Sequence, residues 1–429
     1  MKFSEIFKEI ISITHQDYAG WDEKKGWNFP ERYLNEIIDL ENKELIGAQK
    51  FKEIVDQYLV AFQDRHMYFV HTESQEAKSK TCGFRVRRFE NILYVIQTGG
   101  ETRFPIGTKI ISIDGKTFDS ISDLERNALR ESYPERESWE SILNRASTIE
   151  IVNESDESTS LLVNKYDSIP LDSIHTFENI EEDTLLLTLS NFENTDEIVS
   201  VIDELTVKLK ECRNLIIDIR QNYGGNANSI SSLFPFIFPV GEEPNAKPKP
   251  REFNCTARNS DLFIKLCEDT RKIKITNDKA TLSMLEFAEK QFRTFRGQGF
   301  VRFDFSNYLE EVKKEFVGNA HPNNVIILTD CYTASAAEEF VAVCKQSSKV
   351  TVIGRATRGV NDYSDLLAVT WNNEYTFYYP ISRLETKTEF HEIHGKGIQP
   401  DIYIPWTPEH LQKDIELETA LELMVVQNR

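Results

Sequence analysis

Apolar residues recur at helical spacing along the N-terminal part of the chain. Phe3, Ile6 and Ile10 lie three and four positions apart, and a second series of this kind occupies residues 45–59. Such spacing places the apolar side chains on one face of an α-helix, which is then buried against another element. The pattern predicts an N-terminal helical segment over residues 1–75.

The pattern changes to short apolar runs separated by turns over residues 76–168. Within it, residues 106–116 read Ile-Gly-Thr-Lys-Ile-Ile-Ser-Ile-Asp-Gly-Lys. The Asp114-Gly115 pair favours a tight hairpin turn, because glycine readily adopts the positive φ that such a turn requires. We therefore expect a separate β-rich domain here.

Strands and helices alternate from residue 169 to the C-terminus. Nearly continuous apolar runs at 215–219 and 325–328 are typical of strands buried on both faces of a sheet. A strand at 185–189 precedes an amphipathic helix at 198–209. This alternation predicts an α/β domain over residues 169–429.

One stretch, residues 240–320, interrupts the alternation. Its first part, 242–251, is rich in Pro and Lys, which favours an exposed loop, and apolar spacing predicts a helix around 282–288. We interpret this stretch as an insertion into the α/β domain and as a candidate lid over its site.

Composition and charge narrow the class of protein. The chain has 429 residues, of which 40% are apolar and 28% charged, as is typical of folded globular proteins. This length predicts two or three domains. The net charge of -20 opposes contact with phosphate backbones, so no nucleic-acid partner is predicted.

The sequence contains neither an apolar core of signal-peptide type after Met1 nor an apolar run of membrane-spanning length. Its six cysteines are scattered without the spacing of a disulfide framework, which favours reduced thiols. We expect a cytoplasmic protein with no membrane partner, and the sequence leaves a homo-oligomer open.

The most informative segment is residues 328–340, Leu-Thr-Asp-Cys-Tyr-Thr-Ala-Ser-Ala-Ala-Glu-Glu-Phe. An apolar strand ends there, small residues follow, and a helix begins at or just after Ser335. Backbone N–H groups at a helix start lack intrahelical partners and can hold a developing oxyanion. Serine in this place is either a nucleophile or an ordinary N-cap, and the segment alone favours the cap.

Four motifs occur in a recognisable order. They are Asp-x-Arg-x-Asn-x-Gly-Gly at 218–225, Thr-Ala-Ser-Ala-x-Glu at 333–338, Ile-Gly-Arg-Ala-Thr-Arg-Gly at 353–359 and Gly-Ile-Gln-Pro-Asp-Ile at 397–402. This order resembles the C-terminal processing (tail-specific) serine peptidase family, which includes the core of tricorn protease. The resemblance implies an α/β fold with a crotonase-like spiral ββα core, preceded by a PDZ-like β-rich domain.

The resemblance extends to the β-rich region. Residues 106–116 are similar to the Gly-Asp-x-Ile-x-x-Ile-Asp-Gly signature of the PDZ-like domain, with Thr108 in place of the usual Asp. Cys82-Gly83-Phe84 resembles the loop whose N–H groups capture a terminal carboxylate. The alternative for these three residues is an ordinary strand start.

A serine nucleophile needs a neighbouring base. The processing branch of the family has a lysine where this chain has Val360, and valine cannot accept a proton. The tricorn-like branch uses a histidine in an Asp-x-His segment, which Asp64-Arg65-His66 fits. The resemblance thus implies Ser335 as nucleophile and His66 as base, with His71 the nearest rival.

The remaining site residues are also implied by the resemblance. Backbone N–H groups near Gly224 or Gly225 and at Ala336 are the expected oxyanion hole. His394 stands where the tricorn-like branch has the acid that orients the base. Glu392, two residues earlier and on the same face of an extended strand, is one candidate for that acid, and Asp362 is the second. For both acids a solvated surface charge is the alternative.

The implied activity is that of a serine peptidase without cofactor or metal. It would hydrolyse peptides or unfolded proteins through an acyl-enzyme. The segment His391-Glu392-Ile393-His394 lacks the helical spacing of a zinc motif. Two alternatives stay open, a catalytically inactive peptide-binding protein on the same fold and, by fold analogy alone, an acyl-thioester enzyme.

Overall fold

The chain folds into two compact units, Met1–His71 with Ser173–Tyr403 and Thr72–Asp172 with Ile404–Arg429. A computed structural model describes residues 1–427 except 73–79, 121–128, 130–132, 154–155, 168–172, 182, 245–249, 274–278, 306–315 and 386–394. The first unit holds the N-terminal helices and most of the predicted α/β region. Residues 404–429 lie in the second unit.

Helices and strands are numbered along the described chain. The helices are α1 (Phe3–Gln16), α2 (Trp21–Lys24), α3 (Pro30–Asn42), α4 (Ala48–Val60), α5 (Glu140–Leu143), α6 (Thr195–Leu209), α7 (Phe234–Ile237), α8 (Ala257–Ile273), α9 (Lys279–Thr294), α10 (Ala336–Cys344) and α11 (Ile415–Gln427). The strands are β1 (Tyr68–His71), β2 (Lys80–Thr81), β3 (Phe84–Phe89), β4 (Ile92–Thr98), β5 (Lys109–Ile113), β6 (Thr148–Val152), β7 (Ser158–Leu162), β8 (Tyr166–Asp167), β9 (His175–Glu181), β10 (Thr184–Leu189), β11 (Asn214–Asp218), β12 (Arg251–Cys255), β13 (Gly299–Arg302), β14 (Asn324–Thr329), β15 (Val350–Gly354), β16 (Tyr363–Trp371), β17 (Tyr375–Leu384) and β18 (Ile402–Tyr403).

A six-stranded sheet in the order β18-β15-β14-β11-β10-β9 forms the centre of the first unit. All its pairs are parallel except that between β9 and β10 at one edge. Ile216 and Ile217, which point to opposite faces of β11, are both buried, and so are Ile326 and Ile327 on β14. This confirms that the apolar runs at 215–219 and 325–328 are strands buried on both faces of the sheet.

A second sheet in the first unit has the order β1-β17-β12-β13, with β16 also paired to β17. Its buried face packs on the N-terminal helices through aromatic side chains such as Phe51 and Phe377. The described part of residues 240–320 contributes β12 and β13 to this sheet, and Phe253 and Phe292 to its core. The described part of this stretch is thus built into the second sheet, and its role as a lid stays a prediction.

The second unit contains an antiparallel sheet in the order β3-β4-β5-β6-β7. Its core includes Leu93, Ile110 and Trp139. The predicted tight turn after β5 is confirmed, because Asp114 and Gly115 have φ values of 48° and 72°. The Asp114 carboxylate further holds the turn by accepting the Ser147 and Thr148 N–H groups.

Candidate active site

Two loops meet at the carboxyl edge of the six-stranded sheet. Because β11 and β14 are parallel neighbours with Asp218 opposite Leu328, the segments that follow them leave the sheet side by side. Their contact is direct: Thr333 Oγ1 donates to the Ile219 carbonyl at 2.9 Å, and the Ala334 N–H donates to the Asn222 carbonyl at 2.9 Å. The Gly-Gly segment and the serine turn therefore form one structure.

Ser335 occupies a strained turn immediately before α10. Its φ of 55° and ψ of -124° lie outside the extended region that N-cap residues adopt, and its side chain makes no capping hydrogen bond. Such a conformation costs a non-glycine residue on the order of 1–3 kcal/mol. The ordinary N-cap interpretation is thus wrong, and the hydroxyl of this partly exposed residue is left available for another purpose.

Close backbone packing surrounds this serine. A Cβ added to Gly224, whose φ is 101°, would lie 2.8 Å from Ser335 Cβ and 2.9 Å from Ala336 N, so only glycine fits. The Gly224 N–H is already donated to Asn222 Oδ1 at 2.9 Å. Within the described residues, neither the Gly225 N–H nor the Ala336 N–H donates to a protein acceptor.

His66 lies in the turn between α4 and β1, and Asp64 fixes that turn. Asp64 Oδ1 accepts the His66 N–H at 2.9 Å, while its Oδ2 accepts the Tyr18 hydroxyl at 2.7 Å. The histidine ring is held separately, because its Nδ1 lies 2.6 Å from the Tyr363 carbonyl oxygen. A carbonyl only accepts, so Nδ1 carries the proton and Nε2 of the neutral ring keeps its lone pair.

One short segment, residues 361–363, contacts both predicted catalytic residues. Asn361 Nδ2 donates to the Ser335 carbonyl at 2.8 Å, and the Tyr363 carbonyl accepts from His66. The Cα atoms at the ends of three extended residues are at most about 7 Å apart, so the serine and histidine lie against the same short piece of backbone. No hydrogen bond joins their side chains within the described residues, and such bonds often form only once substrate is bound.

Asp362 does not hold the histidine, although the sequence offers it as the orienting acid. His66 Nδ1 is taken by the neighbouring carbonyl of Tyr363. Asp362 is 2% exposed, and burial raises the pKa of its carboxyl to about 7 against the opposing effect of the Arg251 guanidinium. The other predicted acid, Glu392, lies outside the described residues.

The raised pKa of Asp362 predicts a pH-dependent stability. The carboxyl is favoured in its protonated form in the fold, so the native state loses stability as pH rises from about 4 to about 7. Asp362→Asn removes this penalty and is expected to exceed the wild type in unfolding free energy by on the order of 3 kcal/mol at pH 8, with a smaller gap at pH 5.

Urea unfolding of both proteins at the two pH values measures the gap. Peptidase turnover of Asp362→Asn should stay close to that of the wild type, because His66 is held by a carbonyl. An Asn variant that is less stable at pH 8, or inactive, would contradict this account and return Asp362 to the role of orienting acid.

His71, the rival base, and Val360, which stands where the processing branch has its lysine, make contacts with residues other than Ser335. The His71 ring stacks on Tyr375, with ring centroids 4.8 Å apart. The Val360 N–H donates to the fully buried carboxylate of Glu338 at 3.0 Å. Glu338 also accepts the Gly359 N–H and the Thr357 hydroxyl, both at 2.6 Å, and it therefore ties the loop after β15 to the helix that follows Ser335.

The sequence analysis assigned no role to two of these residues, Glu338 and Asn361. Glu338 had a signal, because it stands one helical turn after Ser335 in a recognised motif. Asn361 had no such signal, because asparagine is common in surface loops and its presence there indicates no particular role.

The predicted carboxylate-binding loop of the second unit is already satisfied internally. The Cys82 N–H donates to Asn144 Oδ1 at 2.7 Å, and the Gly83 N–H donates to Thr81 Oγ1 at 3.2 Å. A Cβ at Gly83 would lie 2.5 Å from the Tyr166 ring. Phe84 begins β3. These contacts favour the ordinary strand start for Cys82-Gly83-Phe84, and capture of a chain end by this loop stays a prediction.

Among the described residues, no group of three or more His, Cys, Asp or Glu side chains could hold a metal ion. In the same part of the chain, no helix has the length and apolar character that a membrane crossing requires. The six cysteines are free and buried.

The chain is similar to known proteins in sequence and in fold. The model of peptidase family S41 matches residues 183–404. Mature CPAF in complex with lactacystin aligns over 99% of this chain and 98% of its own, at 12% identity and a TM-score of 0.63. A CPAF variant aligns over 98% and 96%, at 11% identity and a TM-score of 0.64. No curated protein sequence matches the chain.

The CPAF structures share the fold of this protein. The family match covers just over half of the chain and contains both loops that meet beside Ser335. The chain therefore belongs to peptidase family S41.

Proposed function

We propose that the protein is a serine peptidase in which Ser335 attacks the scissile carbonyl and His66 accepts the serine proton. The observation that carries this proposal is that residues 361–363 contact both Ser335 and His66. The Asn361 side chain binds the Ser335 carbonyl, and the Tyr363 carbonyl binds the His66 ring. Val360, in the place of a lysine base, further supports a histidine base of the tricorn-like kind.

The strained turn supports the role of Ser335 as nucleophile. A serine that neither caps its helix nor adopts a relaxed backbone is retained at a cost in stability, and such strain is typical of catalytic positions. His66 supports the complementary role, because a proton fixed on Nδ1 leaves Nε2 as acceptor for the hydroxyl proton.

The proposed reaction proceeds in two acyl-transfer steps. As the bond from Ser335 Oγ to the carbonyl carbon forms, the hydroxyl proton passes to His66 Nε2. The same proton then passes to the departing amine as the peptide bond breaks. Water attacks the acyl-enzyme with His66 again as base, which releases a carboxylic acid and regenerates the serine.

The oxyanion of each tetrahedral intermediate needs hydrogen-bond donors. The Ala336 N–H at the start of α10 and the Gly225 N–H are the best candidates, since neither has another acceptor in the described structure. Gly224 is less suited as a donor, because its N–H serves Asn222. Its proposed role is to let the two loops approach each other.

The orientation of the base is the least conventional part of this proposal. A backbone carbonyl fixes the tautomer of His66 as a carboxylate would, but without a full negative charge to stabilise the imidazolium. Glu392 stays a candidate for that charge, since it lies outside the described residues.

The architecture supports the remaining parts of the proposal. The parallel sheet with its crossing helices supports a crotonase-like core, and the antiparallel sheet with its Asp114-Gly115 turn supports a PDZ-like domain. Substrates would be peptides or unfolded proteins. The cytoplasmic location and a homo-oligomer stay predictions from sequence.

A fluorophosphonate probe tests the proposed function directly. The native protein should be labelled once per chain, and mass spectrometry of the digested adduct should locate the probe on Ser335, because only an activated serine hydroxyl reacts readily. Protein unfolded in urea serves as the control and should not react. Absence of labelling on the native protein between pH 6 and pH 9 would favour the inactive peptide-binding alternative.

A further inference from the structure

Residues 361–363 can align Ser335 and His66 only if their own backbone is held still. They precede β16 or form its first residue, so they receive little support from strand pairing of their own. The Leu384 N–H from β17 donates to the Asp362 carbonyl at 2.9 Å. Further support comes from a side chain on another strand.

That side chain is Arg251, the first residue of β12. Its Nη1 donates to the Asn361 carbonyl at 3.0 Å, and its Nη2 lies 3.4 Å from the Asp362 carbonyl. One planar guanidinium thus spans two successive carbonyl groups, a geometry that its rigid fork of donors suits. Arg251 therefore binds the backbone between the Asn361 side chain, which contacts Ser335, and the Tyr363 carbonyl, which contacts His66.

Arg251 is itself firmly placed. Its backbone pairs with Leu384 in the second sheet. Its Nε donates to Ser382 Oγ at 3.0 Å and lies 3.8 Å from the Asp365 carboxylate. The side chain is only 13% exposed. A guanidinium fixed on both sides transmits this rigidity to the carbonyls it binds.

We propose that Arg251 is a positioning residue for the Ser335–His66 pair. The proposal rests on the peptidase function proposed above, and it assigns a catalytic consequence to a strand that sequence analysis treats as part of an insertion. Arg251 acts through the Asn361 side chain and the Tyr363 carbonyl. It should therefore affect the chemical step and leave substrate affinity largely unchanged.

Arg251→Ala is expected to lower kcat about 10- to 100-fold with KM within about threefold, because displacements near 1 Å at a reacting centre have effects of this size. Arg251→Lys should recover little, since an ammonium cannot bridge both carbonyls and Ser382 together. Millimolar ethylguanidinium added to Arg251→Ala should restore part of the lost kcat by occupying the vacated position.

Active sites titrated with the fluorophosphonate probe separate positioning from folding. The proposal requires a reduced kcat per titrated site, whereas a purely structural arginine would reduce the number of sites and leave each with full turnover. Should Arg251→Ala fold poorly, the same measurement on Arg251→Lys decides the question.

Arg302→Ala is the matched control, because this arginine lies on the adjacent strand β13, is 64% exposed and pairs with Glu385 at 3.4 Å. It should keep wild-type kcat and KM. Wild-type kcat per site in both Arg251 variants would overturn the positioning role. Undiminished turnover by Ser335 and His66 variants would instead overturn the peptidase mechanism, whatever Arg251 does.

Discussion

Ser335→Ala is expected to lower peptide turnover by about 10⁴- to 10⁶-fold, the loss typical when a serine nucleophile is removed. Without the hydroxyl no acyl-enzyme forms, and only the oxyanion hole and substrate binding remain. Stability should change little, because the side chain caps no helix and alanine meets the same backbone strain. Cleavage of a quenched fluorescent peptide, together with a thermal melt, measures both effects.

Ser348→Ala is a matched control for this substitution. Ser348 is exposed beyond the end of α10 and donates its hydroxyl to Glu242, so its removal should leave turnover unchanged. Wild-type turnover by Ser335→Ala would end the proposed mechanism. A wild-type protein that itself neither turns over nor labels would support the binding-protein alternative.

The strands that carry the site could be read from sequence because burial on both faces leaves an unmistakable apolar run. Those at 215–219 and 325–328 correspond to β11 and β14. Helix α10 begins where small residues follow the second run. Helix α6 starts before its apolar stripe, since Asn194 accepts the Glu197 N–H and so sets the first turn.

The contacts that complete the site could not be read in this way. Asn361 contacts Ser335 from 26 positions away in the chain, and Arg251 contacts Asn361 from 110 positions away. Strand β12 has the sequence Arg-Glu-Phe-Asn-Cys, which contains too few apolar residues to predict a strand within a sheet. Its place in the second sheet is decided by the strands with which it pairs, which the sequence of this strand does not contain.

In the second unit, a local sequence motif predicts a binding loop whose N–H groups are engaged by residues outside the motif. Cys82-Gly83-Phe84 has the local form of a carboxylate-binding loop, yet Asn144 and Tyr166 fill or cover it from elsewhere in the chain. A motif specifies backbone that could bind a ligand. Whether its N–H groups are available depends on side chains that the motif does not contain.

His66→Gln is expected to reduce kcat about 10²- to 10⁴-fold with a much smaller change in KM. The ring accepts the serine proton in the transition state and contributes little to binding of the substrate in the ground state. Glutamine keeps a donor near the Tyr363 carbonyl, so the turn held by Asp64 should persist. The rate constant for acylation by the fluorophosphonate probe should fall in parallel, since the same proton must leave Ser335.

His71→Gln discriminates between the two neighbouring histidines. Its ring stacks on Tyr375 at the end of β1, so the substitution should cost packing and leave kcat within a few-fold of the wild type. Exogenous imidazole should partly restore acylation in His66→Ala and have no effect on His71→Ala. The opposite pattern, with turnover lost at residue 71 and kept at residue 66, would mean that the Tyr363 carbonyl orients a ring with no catalytic task, and the strained serine would need a different base.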